Sequence, residues 1–208
     1  MSMLRHNATN FILRSGRNFT AASGATVVGR LMPVKAIGRI AGTGEKNPFV
    51  NAVNVSEFLT TPDVDSLAGT VLYDATNSIR WLLYARYKHY VGSVVSYCMY
   101  HALRANVSSV TVQRWDVTKA GPAGGLKKIL LSAAVASGLY GHFYEALESL
   151  KSIKEGRTET ALAKLVIPAS ATIQVGDLVS FSGKRYEITG YDALALDGLW
   201  VCTLVRAK

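Results

Sequence analysis

Cys98 and His101 stand three residues apart, the spacing that would bring a thiol and an imidazole together on one helix face for nucleophilic catalysis. A buried cysteine beside a satisfied histidine is the commoner meaning of such a pair, and it is the one expected here. Acid–base chemistry needs two carboxylates held at working distance. Asp63 and Asp65 fall at a turn-like helix start, and Asp192 and Asp197 in a hairpin connection, so neither pair makes a convincing dyad. A phosphate-cradling loop could begin at Gly121 and place its lysine at Lys127. Leu126 then stands where the second glycine is required, and Lys128 where serine or threonine must be. The two cysteines, Cys98 and Cys202, form no CxxC pair and no zinc spacing with the four scattered histidines. No hydrolase elbow, zinc-protease helix, kinase set or dinucleotide fingerprint is present, so the expectation is a chain that is not an enzyme and carries no cofactor.

Binding chemistry is easier to find. Trp81, Tyr84, Arg86, Tyr87, Lys88 and Tyr90 interleave aromatics with cations, the composition of a surface that stacks bases and contacts phosphate. The blander reading, a buried aromatic face whose Arg and Lys heads snorkel to water, is preferred. A formal charge of +9 and a pI near 9.6 favour acidic partners, whether nucleic acid, anionic membrane or acidic protein. Six of the cations, Arg5, Arg14, Arg17, Arg30, Lys35 and Arg39, precede the first acid, Glu45. With Lys151, Lys154 and Arg157 they are the candidate contacts to DNA or to a protein partner. An Arg- and Ser-rich, acid-free start also fits a transit peptide. The preferred reading is an arm that orders on neighbouring subunits or on a nucleic-acid backbone.

These residues need elements to position them. At 208 residues and 49% apolar composition the chain can bury a substantial core. The pattern predicts a mainly β, or α+β, protein in three parts: an extended basic arm over 1–60, a helical or mixed segment over 61–106, and an antiparallel barrel with a long projecting loop over 107–208. In 74–105, Ile79, Leu82, Leu83, Arg86, Tyr87 and Tyr90 recur at three- and four-residue steps and favour a helix. The density of Tyr, Trp and Val equally suits two strands flanking Val91-Gly92-Ser93. The uncharged run over 89–103 is too short and too polar for a bilayer span, so no membrane contact is expected. A short helix is expected over 130–136 and a strand over 140–146. Beyond 107, alternation marks strands whose core is Val110, Val112, Leu165, Ile167, Ile173, Val179, Phe181, Tyr186, Ile188, Leu199, Val201 and Leu204, with turns at Gly176-Asp177 and Ser182-Gly183.

The order Ile167-Pro168-Ala169, Ile173, Val175-Gly176-Asp177, Val179 and Gly183-Lys184-Arg185-Tyr186-Glu187-Ile188 resembles the C-terminal half of tailed-phage neck proteins, the head-closure or head–tail joining family. That resemblance covers about half the chain. It implies a virion structural protein, assembled in the host cytoplasm, whose subunits form an oligomeric ring between capsid and tail. Portal or adaptor and tail proteins would be its partners, with a role in retaining or conducting DNA and non-specific DNA contact. The competing reading is a basic nucleic-acid-binding or ribonucleoprotein module, organellar if the first residues act as a transit peptide.

Overall fold

The computed structural model of the chain describes residues 2–33, 54–64, 66–120, 125–131, 133–146 and 162–207. They divide into two compact units, Met1–Ala105 with Leu196–Gly198, and Asn106–Ala195 with Leu199–Lys208. Each unit closes a six-stranded antiparallel β-barrel.

The first unit opens with α1 (Ser2–Ser15), which rests on β2 and β6 and buries Ile12. Six strands follow: β1 (Arg17–Ala21), β2 (Thr26–Pro33), β3 (Val55–Thr60), β4 (Val71–Asp74), β5 (Ile79–Val91) and β6 (Val94–Arg104). Their order is β1-β2-β3-β6-β5-β4, and the barrel closes where Thr20 and Ala21 pair with Tyr73 and Leu72. Alternate residues line the core, among them Phe19, Ala21, Val27, Phe58, Leu72, Trp81, Leu83, Cys98, Tyr100 and Ala102. Gly29 is required by this packing, because a Cβ there would lie 2.2 Å from Phe58 Cζ and 2.8 Å from the Leu59 carbonyl oxygen.

This barrel overturns two expectations. The first 33 residues are not an extended arm; Phe19 and Ala21 alternate with polar neighbours and are buried. Nor is 74–105 helical. It is the β5–β6 hairpin, and the helix-like spacing arises from a bulge between Tyr84 and Arg86, where Ala85 takes φ = 51°. Trp81 and Leu83 face the core; the extra residue resets the alternation, so that Arg86 faces inward and Tyr84 and Tyr87 outward. A period of two broken once reads as steps of three and four.

The second unit contains β7 (Val107–Gln113), β8 (Trp115–Ala120), β9 (Gly125–Leu130), β10 (Ala136–Ala146), β11 (Leu162–Pro168), β12 (Leu178–Phe181), β13 (Lys184–Leu196) and β14 (Leu199–Arg206). The barrel order is β10-β11-β14-β13-β12-β7; β8 and β9 form a separate two-stranded sheet. All twelve expected core residues are buried. Ser182 and Gly183 have φ of 48° and 72°, as a type I′ reversal requires at both central positions. The expected helix over 130–136 is absent: Leu130 ends β9 and Ala136 begins β10.

Written from β7, the second barrel reads β7-β10-β11-β14-β13-β12, the same connectivity as β1-β2-β3-β6-β5-β4. The match extends to single hydrogen bonds. Gly69 N–H donates to the Leu83 carbonyl at 2.7 Å and Gly176 N–H to the Ile188 carbonyl at 2.7 Å. The reciprocal bonds, Leu83 N–H to Thr70 and Ile188 N–H to Asp177, are 3.0 and 2.9 Å. Ala21 pairs with Leu72, which pairs with Trp81; Val112 pairs with Val179, which pairs with Tyr186. Gly141 answers Gly29, its absent Cβ leaving room for Leu165 and the Val166 carbonyl as Gly29 does for Phe58 and Leu59. The chain is therefore a structural repeat of one barrel, with β8 and β9 inserted between the first two strands of the second copy.

Candidate functional site

Four of the nine predicted basic residues lie among the described residues. Arg5 lies on α1, and Arg14 is exposed in its last turn. Arg17 is committed to Asp74, a carboxylate with no exposed side-chain area, and its guanidinium also lies 5.3 Å from the Phe19 ring centroid. Arg30 sits over the Phe11 ring at 4.8 Å. Arg17 and Arg30 are thus occupied within the first unit. Lys35, Arg39, Lys151, Lys154 and Arg157 lie outside the described residues, as do Asp65 and the Gly-Pro segment 121–124. Lys127 stands on β9, a strand of a hairpin, and not at the start of the helix that a phosphate-cradling loop requires.

The Cys98–His101 pair is dissolved by the strand. Residues three apart on β6 point to opposite faces, so Cys98 is fully buried in the core while His101 lies on the other side. There His101 meets Tyr84 and Tyr87, with ring centroids 5.5 and 5.3 Å away. Burial lowers the His101 pKa, opposed by the charge of Glu57, its cross-strand neighbour on β3. Its Nδ1 is buried and has no hydrogen-bond partner. Burial, with a smaller contribution from Tyr87, pushes the Tyr84 phenol up to about 12. At neutral pH His101 is therefore a neutral imidazole and Tyr84 a protonated phenol, both able to stack and to hydrogen-bond.

Further along the ribbon His89 stacks on Tyr97, centroids 4.4 Å apart and planes 11° from parallel. Burial, then Glu57, raises the Tyr97 pKa. Tyr84, Tyr87, His89, Tyr97 and His101 therefore make one continuous aromatic face on β5 and β6. Toward the turn, Tyr87 is 47% and Tyr90 58% exposed, with Lys88 exposed between them. The interleaved aromatics are not the buried face expected from sequence. Trp81 alone of the aromatics in that group is buried, and Arg86 reaches the Val64 carbonyl at 3.2 Å and Cys98 Sγ at 3.5 Å.

A second surface belongs to the other unit. Among the described residues, β8 and β9 pair only with each other, from Trp115↔Leu130 to Ala120↔Gly125. Trp115, Ile129 and Leu131 are exposed at the base of this hairpin. A closed barrel has no free edge, but a two-stranded sheet has two rows of backbone donors and acceptors without a neighbouring strand. Below its base, Arg114 clasps Asp177 through Nε at 2.9 Å and Nη2 at 3.0 Å, and the Gln174 N–H adds a 2.8 Å bond to the same carboxylate. The hydrogen bond to Asp177 raises the Arg114 pKa.

The sequence analysis did not anticipate that the base of the β8–β9 hairpin exposes apolar side chains. It also missed Asp177, read only as a turn residue. Among the described residues no three His, Cys, Asp or Glu side chains gather to hold a metal ion, and no helix is long and apolar enough to cross a membrane. Compared with known proteins, the chain matches no family profile, no curated protein and no solved structure.

Proposed function

We propose that the chain is a structural assembly protein, a ring-forming neck subunit that joins the DNA-filled head of a tailed phage to its tail. The observation that carries the reading is the β8–β9 hairpin. The first barrel closes with only Ala22–Ala25 between its first two strands, so the second has no topological need for the 22 residues between Gln113 and Ala136. An isolated two-stranded hairpin is marginal in water and offers open edges for strand addition. With Trp115, Ile129 and Leu131 exposed at its base, it is built to be completed by another protein. The neck-like order of residues from Ile167 to Ile188 supplies the class of assembly, in which portal or adaptor proteins, tail proteins and further copies of the chain are the partners, and the virion neck is the location. Electron microscopy of particles made without this gene tests the proposal. Filled heads accumulating beside free tails are expected; normal virions would refute a joining role.

A further inference from the structure

We propose that the β5–β6 turn of one copy of the chain docks on the Val175-Gly176 seat of a second copy. This head-to-tail contact gives the proposed ring its subunit interface, and it rests on the ring-forming part of that reading. The same kind of contact is already made once inside the first unit. The turn between β13 and β14, Leu196–Gly198, belongs to that unit, and there Gly198 closes on Ala68 and Gly69. A Cβ at Gly69 would lie 2.5 Å from the Gly198 carbonyl oxygen, and one at Gly198 2.6 Å from the Ala68 carbonyl carbon, so the two backbones approach as only glycine allows. Gly69 has its counterpart in Gly176, through the matched bonds to Leu83 and Ile188 and through a shared turn. Thr70 N–H donates to the Leu67 carbonyl at 2.9 Å, and Asp177 N–H to the Gln174 carbonyl at 3.1 Å. Among the described residues this second seat is open. A Cβ at Gly176 would meet nothing within 4 Å, and Val175, in the place of Ala68, is 62% exposed. A matching turn stands in the first unit. β5 and β13 are both 13 residues long, and Gly92-Ser93 turns the first ribbon where Asp197-Gly198 turns the second. Tyr90 and Val94 flank the Gly92-Ser93 turn, 58% and 41% exposed, an apolar end for Val175 to cover. Each chain thus carries a covered seat, an open seat and a free turn. The free turn and the open seat are unlike surfaces, so copies join by the heterologous kind of contact from which rings are built.

Disulfide cross-linking of the purified full-length chain tests the contact without any other virion protein. Cys98 and Cys202 are buried, so Ser93→Cys and Val175→Cys each add one accessible thiol at an exposed position, and thermal melting checks that each variant folds. A disulfide needs Cα atoms within about 7 Å, which makes the bond a report on this contact alone. Under mild oxidation the mixture of the two variants should give a linked dimer that neither gives by itself, and a chain carrying both should give a ladder of oligomers. Val175→Glu, which sets a carboxylate against Tyr90 and Val94, should weaken self-association in sedimentation velocity by about tenfold or more. No dimer in the mixture overturns the contact, and so does a dimer that either variant forms equally well alone. The joining role is judged separately: a cross-link formed by a chain whose loss leaves normal virions upholds this contact and refutes joining, whereas unjoined heads and tails without the cross-link do the reverse.

Discussion

The two barrels share a connectivity and differ in what is attached to it. Both staple their first strand to their fourth with an Arg–Asp pair, but at opposite ends of that strand pair. Arg17 begins β1 and meets Asp74 at the end of β4, whereas Arg114 follows β7 and meets Asp177 before β12. Both keep a glycine opposite a large core side chain on their second strand. The first carries a helix and an aromatic ribbon; the second carries an inserted hairpin with open edges. Closure therefore depends on a few backbone positions and a buried alternating face, which leaves the excursions free to take on separate partners.

Substitution at the paired glycines probes that division most severely. Gly29→Ala should cost about 3 kcal/mol, since the new methyl meets both the Phe58 ring and a carbonyl oxygen that cannot move aside. Gly141→Ala should cost less, about 1–2 kcal/mol, because its nearest contacts begin at 2.9 Å and one of the two at that distance, the Leu165 Cδ1 methyl, can turn aside while the Val166 carbonyl oxygen cannot. Urea titration of both variants gives the order, and the reverse order would break the proposed equivalence of packing.

The ionic staples come next. Asp177→Ala should cost about 2 kcal/mol, because it removes three hydrogen bonds from a nearly buried carboxylate and leaves Arg114, itself partly solvated, unpaired. Asp74→Ala should cost less: Oδ2 accepts from Arg17 and Asn77, but Oδ1 is buried without a partner, so its removal relieves a desolvation penalty. Equal losses in denaturant titration would show that the two staples are energetically alike.

The turns should respond in opposite directions. Gly183→Val forces a β-branched residue to φ = 72° and should cost about 1–2 kcal/mol. In the other barrel, Ser78 already sits at φ = 54°, and Ser78→Gly should raise stability by a few tenths to about 1 kcal/mol. Melting temperatures of the two variants relative to the parent decide the signs.

The smallest contrast is in pH. Burial pushes the Cys202 thiol in the second barrel up from 9.0 to about 12, so its protonated form is favoured by folding; that contribution is intact below pH 9 and is lost as pH rises from there toward 12. His101 in the first barrel is lowered from 6.5 by burial, so its contribution is present above that value and is lost as pH falls through the folded-state pKa. Cys202→Ala should flatten the alkaline arm of a stability–pH profile, and His101→Gln the acid arm. An arm that keeps its slope in the matching variant is governed by other groups.

The second barrel was largely legible in the sequence because its signals are local. Val179 and Phe181 alternate, Ser182-Gly183 reverses the chain, and Tyr186 and Ile188 resume, all within ten residues. The first barrel was hidden by two non-local facts. The bulge at Ala85 breaks the period of β5, and the acid that holds Arg17 is Asp74, 57 residues away. The repeat itself is invisible to residue matching, since Phe58 and Leu165, or Trp81 and Tyr186, fill equivalent places with different side chains. For the candidate surfaces, sequence identified the residue types on β5 but assigned them to the interior, because exposure is set by how far a hairpin runs past its barrel.

The most direct test of the central claim keeps Arg114 and its pairing with Asp177, replaces 115–131 with the four-residue link Ala22-Ser23-Gly24-Ala25 of the first barrel, and examines, by electron microscopy, particles complemented with that chain. If the inserted hairpin is the joining element, the shortened protein melts close to the parent yet leaves filled heads and free tails unjoined. Intact, infectious particles made with the shortened chain would contradict the account.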